Sequence, residues 1–412
     1  MVQAMTVYNG ELYAGGSFTT AGGKPAYGIA TWNGVSWDSL SSGIAGQVYA
    51  LTVYNGNLIA GGFLVTAGGH TVHNIAQWDG SSWSALDVGV SSDVYALTVY
   101  NGNLIAGGYF TIAGSTSTNY IAQWNGSTWD SLGNGLNKDV KSLTVYNGNL
   151  IAGGEFTTAG GTSANYIAEW NGTSWSALGS GMSSYAVVSA LIVYNGDLIA
   201  AGGFTTAGGT PAFCIAKWDG SSWYPLGSGI NDNIFALTIF DGNLIAGGWF
   251  SQAGGNNANN LAQWNGSAWD SIGNGVLSVK DAVMALSVYS GSLYAGGEFT
   301  QSGSLHVSNV AEWDLPLGLN ETRDVFNNIS AYPNPSNGKF TIKAKSVPST
   351  RERAKSVVEV YNTLGQTIYS NSLVIPNSSF QIDLSAQPSG IYLYRVISEN
   401  GELIGTGKLI KE

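Results

Sequence analysis

The chain has 412 residues, of which only 10% are charged, with 58 Gly, 14 Trp and a single Cys. Hydrophobic content of 44% and aromatic content of 12% exclude a disordered chain, and the lone Cys214 excludes an internal disulfide framework or a cysteine zinc site. The net charge is −11, and residues 1–314, with 5 Lys, no Arg and 18 Asp+Glu, are the acidic part at −13, so nucleic acid is a poor partner.

The first residues, MVQAMTVYNG, have neither the basic region nor the apolar core of a signal peptide and enter directly on a strand pattern. No apolar run approaches the ~20 residues that a transmembrane helix needs. From there to residue 314 one unit recurs. A Tyr-x-Gly-x-Leu core falls at Tyr8, Tyr54, Tyr100, Tyr146, Tyr194 and Tyr289, with Phe240 standing in once. The first Trp of each Ile-Ala-x-Trp element falls at 32, 78, 124, 170, 218, 264 and 313, at spacings of 46, 46, 46, 48, 46 and 49 residues. Such a period means copies of one supersecondary unit, stacked or arranged radially.

Each unit reads as four short strands. Residues 94–100 alternate branched and aromatic side chains, and Asn101-Gly102 favours the type I′ turn that closes a hairpin. The second strand ends in Gly107-Gly108, whose missing side chains make room for something large, and the recurrent tryptophans are the obvious candidates. A third strand ends at Trp124, and after Asn125-Gly126 a fourth carries Trp129 and Leu132. Seven four-stranded antiparallel units predict an all-β, seven-bladed β-propeller over 1–314. The paired tryptophans read as packing between blades.

The seventh unit stops after Trp313-Asp314 without a second Trp, and the first begins on its first strand. The last blade is therefore expected to be incomplete, its fourth strand lying upstream of Met1 in a longer protein that also carries an export signal.

Tight hairpins share one face of the disc; the second-to-third loops and the connections between units share the other. Variable residues concentrate on that long-loop face, where binding residues are expected. The candidates are His70, His73, Tyr109, Trp249, Asn256 and Asn257. His70 and His73 lack a third ligand, so no metal and no cofactor is expected. No non-repeating cluster of acids and bases marks a catalytic residue. A binding or scaffold role is favoured; the alternative is a polysaccharide-acting hydrolase or lyase with its site on the same face.

Residues 315–326 read as a linker, and from 327 tryptophan disappears while basic residues rise. Strand patterns at 339–343, 357–361, 367–369, 380–384 and 391–397 predict a small Ig-like β-sandwich over 327–412.

The tail, from Tyr332-Pro333-Asn334-Pro335-Ser336-Asn337-Gly338 through Leu364-Gly365, Gly390-Ile391-Tyr392 and Gly407-Lys408-Leu409, resembles the type A C-terminal sorting domain of Bacteroidetes type IX secretion. That resemblance implies export to the outer-membrane surface or beyond, with the secretion machinery and its sorting peptidase as partners, and implies a signal peptide. The repeats, with Leu-x-Ala-Gly-Gly-x-Phe at 150–156 and Ile-Ala-x-Trp-x-Gly-x-x-Trp at 167–175, resemble fungal cortical-marker and Kelch-like or galactose-oxidase-like propellers. The Cys-Tyr constellation of the copper oxidases in that superfold has no counterpart. Asp38-Ser39-Leu40, Asp130-Ser131-Leu132 and Asp270-Ser271-Ile272 resemble a short Bacteroidetes O-glycosylation motif. The ligand itself, glycan or protein, is left open.

Overall fold

A computed structural model describes residues 1–183, 186–277, 282–303, 305–314, 329–344, 354–362, 366–375, 379–398 and 403–412. They form two compact units, Met1–Leu315 and Pro316–Glu412. The linker at 315–326 and the motif residues Leu364 and Gly365 lie outside the described residues.

The first unit is a β-propeller. In the third repeat, Val94–Tyr100 pairs with Asn103–Gly108, which pairs with Ile121–Trp124, which pairs with Trp129–Ser131, all antiparallel. Asn101 and Gly102 take φ of 47° and 77°, the two positive values that the type I′ turn demands. Six repeats build such a sheet, and the seventh has three strands among the described residues: Ala282–Tyr289, Ser292–Glu298 and Val310–Asp314. Each inner strand lies against the next, and Val2–Tyr8 lies against Ala282–Tyr289, so the ring closes.

The glycine pair sets how closely the sheets approach. A Cβ on Gly107 would stand 2.5 Å from Val140 Cγ1 on the next inner strand, and the same contact recurs from Gly296 to Val2 across the closure. Valine, not tryptophan, fills the space that the glycines leave, which corrects the expectation drawn from sequence. The tryptophans meet other glycines: Trp83 Cβ lies 3.1 Å from where a Cβ on Gly68 would be, and the Trp170 ring lies 3.1 Å from that of Gly133. Within a blade the two indoles sit 5.3–5.5 Å apart in the five blades from Trp78–Trp83 to Trp264–Trp269. In blades three to six the second indole N–H reaches back to the preceding blade. Trp175 donates to the Leu132 carbonyl at 2.8 Å, Trp223 to Leu178 at 2.9 Å and Trp269 to Leu226 at 2.9 Å. Packing between blades thus accounts for the paired tryptophans.

The long second-to-third loops hold structure that the sequence reading missed. Each carries a miniature ribbon, such as Thr158–Ala159 paired with Thr162–Ser163. The connection from the preceding blade is stitched to it by single bridges, including Leu136 to Ala159 and Ile230 to Ala253.

The second unit has a sheet of Ile329–Tyr332, Lys339–Ala344 and Ser379–Asp383 and another of Thr367–Ile375, Ala354–Tyr361, Gly390–Ser398 and Leu403–Lys411. The strands Ile329–Tyr332 and Leu403–Lys411 were not among the predicted elements. Phe340, Ile342, Val358, Ile382, Tyr394 and Leu409 share one buried core.

Gly108 tests the close approach. Its added Cβ would fall 2.0 Å from the Asp93 carbonyl oxygen, a backbone atom that cannot turn aside. Gly108→Ala is expected to cost roughly 1–3 kcal/mol, the usual range for overpacking. Gly107→Ala is expected to cost less, because blade five already carries Ala201 at that register. Thermal midpoints of the two variants check the order.

Candidate functional site

The start of each inner strand, the end of the second strand, the ribbons and the connections all meet on the long-loop face. The residue after each glycine pair is held there by the backbone. Tyr109 N–H donates to the Asp93 carbonyl at 2.8 Å, Glu155 to Asp139 at 2.9 Å and Trp249 to Asn233 at 2.8 Å. Around the ring this position reads Ser17, Phe63, Tyr109, Glu155, Gly203, Trp249 and Glu298. The next residue is Phe in six blades and buried in five of them; the residue at the position itself points outward. Phe63, Tyr109 and Trp249 are 50%, 55% and 59% exposed, although the strands ending there are buried almost throughout.

Candidates from sequence are spread over three blades. Trp249, Asn256 and Asn257 belong to the sixth blade, with both asparagines exposed on the ribbon strand Asn256–Asn257. Tyr109 belongs to the third, its ring 6.3 Å from that of Tyr120. His70 and His73 belong to the second and are exposed. Among the described residues no group of three His, Cys, Asp or Glu could hold a metal ion. The ribbons are pinned to the connections: the Asn231 side chain accepts from the N–H groups of Ser251 and Gln252 at 3.1 and 2.9 Å, and Asn137 does the same for Thr157 and Thr158 at 2.8 and 3.0 Å.

A non-repeating polar cluster escaped the sequence reading because its members come from different blades. The rings of Tyr49 and Tyr95 lie 5.5 Å apart, and Lys141 Nζ sits 3.7 Å from the Tyr95 ring centroid. Lys141 also meets Asp139 at 2.9 Å and Glu155 at 3.5 Å, and Lys138 meets Glu155 at 2.7 Å. Asp139 is buried, and its Oδ1 has no hydrogen-bond partner. Burial, then the neighbouring Asp93 carboxylate, raise the Tyr95 phenol above its ordinary range. Burial pulls the Glu155 carboxyl upward, but the two lysine ammoniums outweigh it and hold the group below the ordinary glutamate value. The signal that could have found this cluster is the inner-strand position read across blades: Gln3, Tyr49, Tyr95, Lys141, Ser189, Phe235 and Met284. Several of these, with the residues after them, line a narrow channel of about 300 Å³ along the ring.

Chemically, this face offers flat exposed rings and amides, with two ammoniums, Lys138 and Lys141, already paired with carboxylates. A general acid is not to be found in Glu155, which is held ionised. Cys214 takes a left-handed φ of 61°, where Tyr120 and Tyr166 do the same at 68°, and burial pushes its thiol up, away from nucleophile behaviour.

In the tail, the opening motif is tied to the last strand. Asn334 Nδ2 donates to the Lys408 carbonyl at 2.6 Å, and its Oδ1 accepts from Ile410 N–H at 2.7 Å. Gly338 has φ of 110° and abuts Ser385, where a Cβ would stand 2.8 Å from the Cα. The Tyr392 hydroxyl donates to the Pro388 carbonyl at 2.6 Å, whereas Tyr332, Pro333 and Pro335 lie at the exposed surface.

Residues 330–412 match the model of the secretion system C-terminal sorting domain. Residues 1–147 match that of the Rax2 C-terminal β-propeller domain, and residues 241–265 match a β-propeller domain of unknown function, DUF5122. No curated protein matches the chain. Among solved structures, the extracellular domain of BT4673 from B. thetaiotaomicron is 12% identical with a TM-score of 0.44; the comparison covers 99% of this chain and 56% of that one. An α-L-arabinofuranosidase, CtGH43, from Clostridium thermocellum is 12% identical with a TM-score of 0.26, covering 57% of this chain and 95% of the other. The chain thus spans little more than half the length of the first, and at these scores neither carries an argument about function. Among the described residues no helix is long and apolar enough to cross a membrane. A C-terminal sorting domain directs its chain to the cell surface or beyond, and this chain is a β-propeller protein with a type IX sorting tail.

Proposed function

We propose that the propeller is a non-catalytic binding module that the sorting tail delivers outside the cell, where its long-loop face takes a glycan. The observation that carries this reading is the exposure of Phe63, Tyr109 and Trp249 at one repeated position, Tyr109 and Trp249 held by a backbone bond just past a buried strand and Phe63 within the paired strand Asn57–Ala67. A large ring standing in water at the end of a rigid strand loses little entropy when a sugar ring stacks on it. The surrounding Thr, Asn and Ser residues supply neutral hydrogen-bonding groups that suit hydroxyls better than charged ligands.

A second reading, a polysaccharide hydrolase or lyase, draws on the cluster of Asp139, Lys141 and Glu155 on the same face. Two lysines on Glu155 oppose it, since a glycosidase acid must hold its proton near neutral pH. Release of reducing ends from a polysaccharide panel, abolished by Asp139→Asn, would establish the enzyme and overturn the binding reading.

Retention on immobilised glycans is expected to fall by about tenfold with Trp249→Ala or Tyr109→Ala, as for an anchor residue worth some 1.4 kcal/mol. The thermal midpoint should hardly move, because both rings are exposed. Unchanged retention in both variants on every glycan that the parent binds would remove the aromatic face from the reading.

The Lys138–Glu155–Lys141 contacts stabilise the fold only while Glu155 is ionised. Since its folded pKa lies below the unfolded value of 4.5, the contribution is complete above that pH and fades as the pH falls through the folded value. Glu155→Gln should therefore melt earlier than the parent at neutral pH, and the gap should close below pH 4.5.

In the tail, Asn334→Ala should leave the protein inside the cell envelope, read by fractionating cells that express the full chain.

A further inference from the structure

Three repeated positions on the long-loop face carry aromatic rings on some blades only, and the rings at all three fall on the same blades. The first is the half-buried inner-strand position at the channel mouth, where Tyr49, Tyr95 and Phe235 stand on blades two, three and six. The second follows the glycine pair, with Phe63, Tyr109 and Trp249 exposed on those same blades. The third lies two residues before the third strand, where Tyr27, His73 and Phe213 are exposed. Their carbonyls accept from Ile44, Val90 and Ile230 N–H at 2.8, 3.1 and 3.0 Å, on the connections that lead into blades two, three and six. Among the described residues, the other exposed Tyr, Phe or Trp of the propeller is Tyr224, on the outermost strand of blade five.

The other four blades fold without these rings. At the mouth they carry Gln3, Lys141, Ser189 and Met284, and after the glycine pair Ser17, Glu155, Gly203 and Glu298. At the third position Asn119, Asn165 and Asn259 turn their amides to the carbonyls of Asn134, Ser180 and Asn274 at 3.0, 3.0 and 2.9 Å. Packing therefore does not require a ring where one occurs. Consecutive inner strands adjoin all the way round the ring, so two blades separate blade six from blade three on one side and from blade two on the other. Blade six thus stands across the ring from the pair formed by blades two and three. Tyr49, Tyr95 and Phe235 line the one channel between them. Tyr49 and Tyr95 lie 5.5 Å apart, and their hydroxyls donate to Gln47 Oε1 at 3.0 Å and Asp93 Oδ2 at 3.3 Å, which fixes both rings. A line of rings crosses the disc, from Phe213 and Trp249 over the channel mouth to Phe63 and Tyr109.

Resting on the glycan reading above, we infer that the ligand is a linear, uncharged polysaccharide bound along its length. One chain lies across the disc from blade six, over the channel mouth, to blades two and three. Its sugar faces stack on successive rings, whose apolar bodies and polar tips suit a surface that is half wet. A chain end would call for one walled pocket, whereas these platforms lie on opposite sides of an opening. Charge narrows the class. Residues 1–314 hold 18 acidic groups against 5 lysines, and Lys138 and Lys141 are already paired, so a polyuronate or a sulfated chain is repelled.

The test is calorimetry on the full chain with neutral linear gluco-, manno-, xylo- and galacto-oligosaccharides of increasing length, and with their polymers. The long members are expected to bind as one chain per protein, with affinity about tenfold or more above that of the trisaccharide once both halves are engaged. Trp249→Ala and Tyr109→Ala lie in opposite halves, and each should bring the long member back close to the trisaccharide's affinity. Both rings are exposed, so an unchanged thermal midpoint confirms that the variants fold. Two chains per protein at every length, or an affinity already complete at the trisaccharide, would overturn the track and leave the glycan reading standing. A polyuronate that binds as tightly as the neutral polymers would overturn the assigned class. Binding of none of the polymers by a folded sample, or binding indifferent to both variants, would remove the glycan reading and the track with it.

Discussion

Everything in the propeller rests on how closely one sheet can approach the next. Six blades carry a glycine pair on the second strand, and the valine that opens the next inner strand presses into the space above the first of them; blade five has Ala201 there. Close packing there brings the inner strands together around a narrow channel and leaves the outer strands splayed. The outer gap is wide, and it is this gap that the indoles fill. In blades three to six the second tryptophan is tied to the blade before it through a single hydrogen bond, so these blades are coupled in one direction around the ring. Desolvated backbone carbonyls find donors, and large rings bury area, in one repeated contact.

Such a scaffold leaves some positions free of any duty to its shape. The fold needs only the repeated residues, and the position after the glycine pair is released from that duty because its side chain leaves the sheet. Around the ring this position holds a serine, three aromatic residues, two glutamates and a glycine. Variation on a rigid frame is the arrangement that binding loops use elsewhere, and the glycan-binding proposal rests on that likeness. The lysine–carboxylate cluster in the third and fourth blades is a second departure from repetition, and its charges are matched locally rather than left for a ligand.

Much of the fold was legible in the sequence for specific reasons. Asn101-Gly102 and its counterparts state a turn type, and the tryptophan period states a unit length. What was not legible depends on neighbours distant in sequence. Gly107 announces that something comes close, but not that it is Val140 rather than an indole. Thr158–Ala159 and Thr162–Ser163 are too short to show a strand period, and their pairing is secured by Leu136 from the previous blade. Exposure at Trp249 and Tyr109 could be suspected from their variability, whereas the contact of Lys141 with Tyr95 joins two blades that only the ring brings together. The tail motifs were readable one by one; that Asn334 bonds to the strand containing Lys408 was not.

That clamp bears on timing. Asn334 stands near the start of the tail, yet both of its partners belong to residues made more than 70 positions later, at 408 and 410. During synthesis the opening motif therefore has nothing to fasten to until the far strand has been made. A chain broken off before residue 408 would carry the motif in its letters but not in its shape. The shape of the opening motif is thus set by the last strand, and its letters alone do not make it.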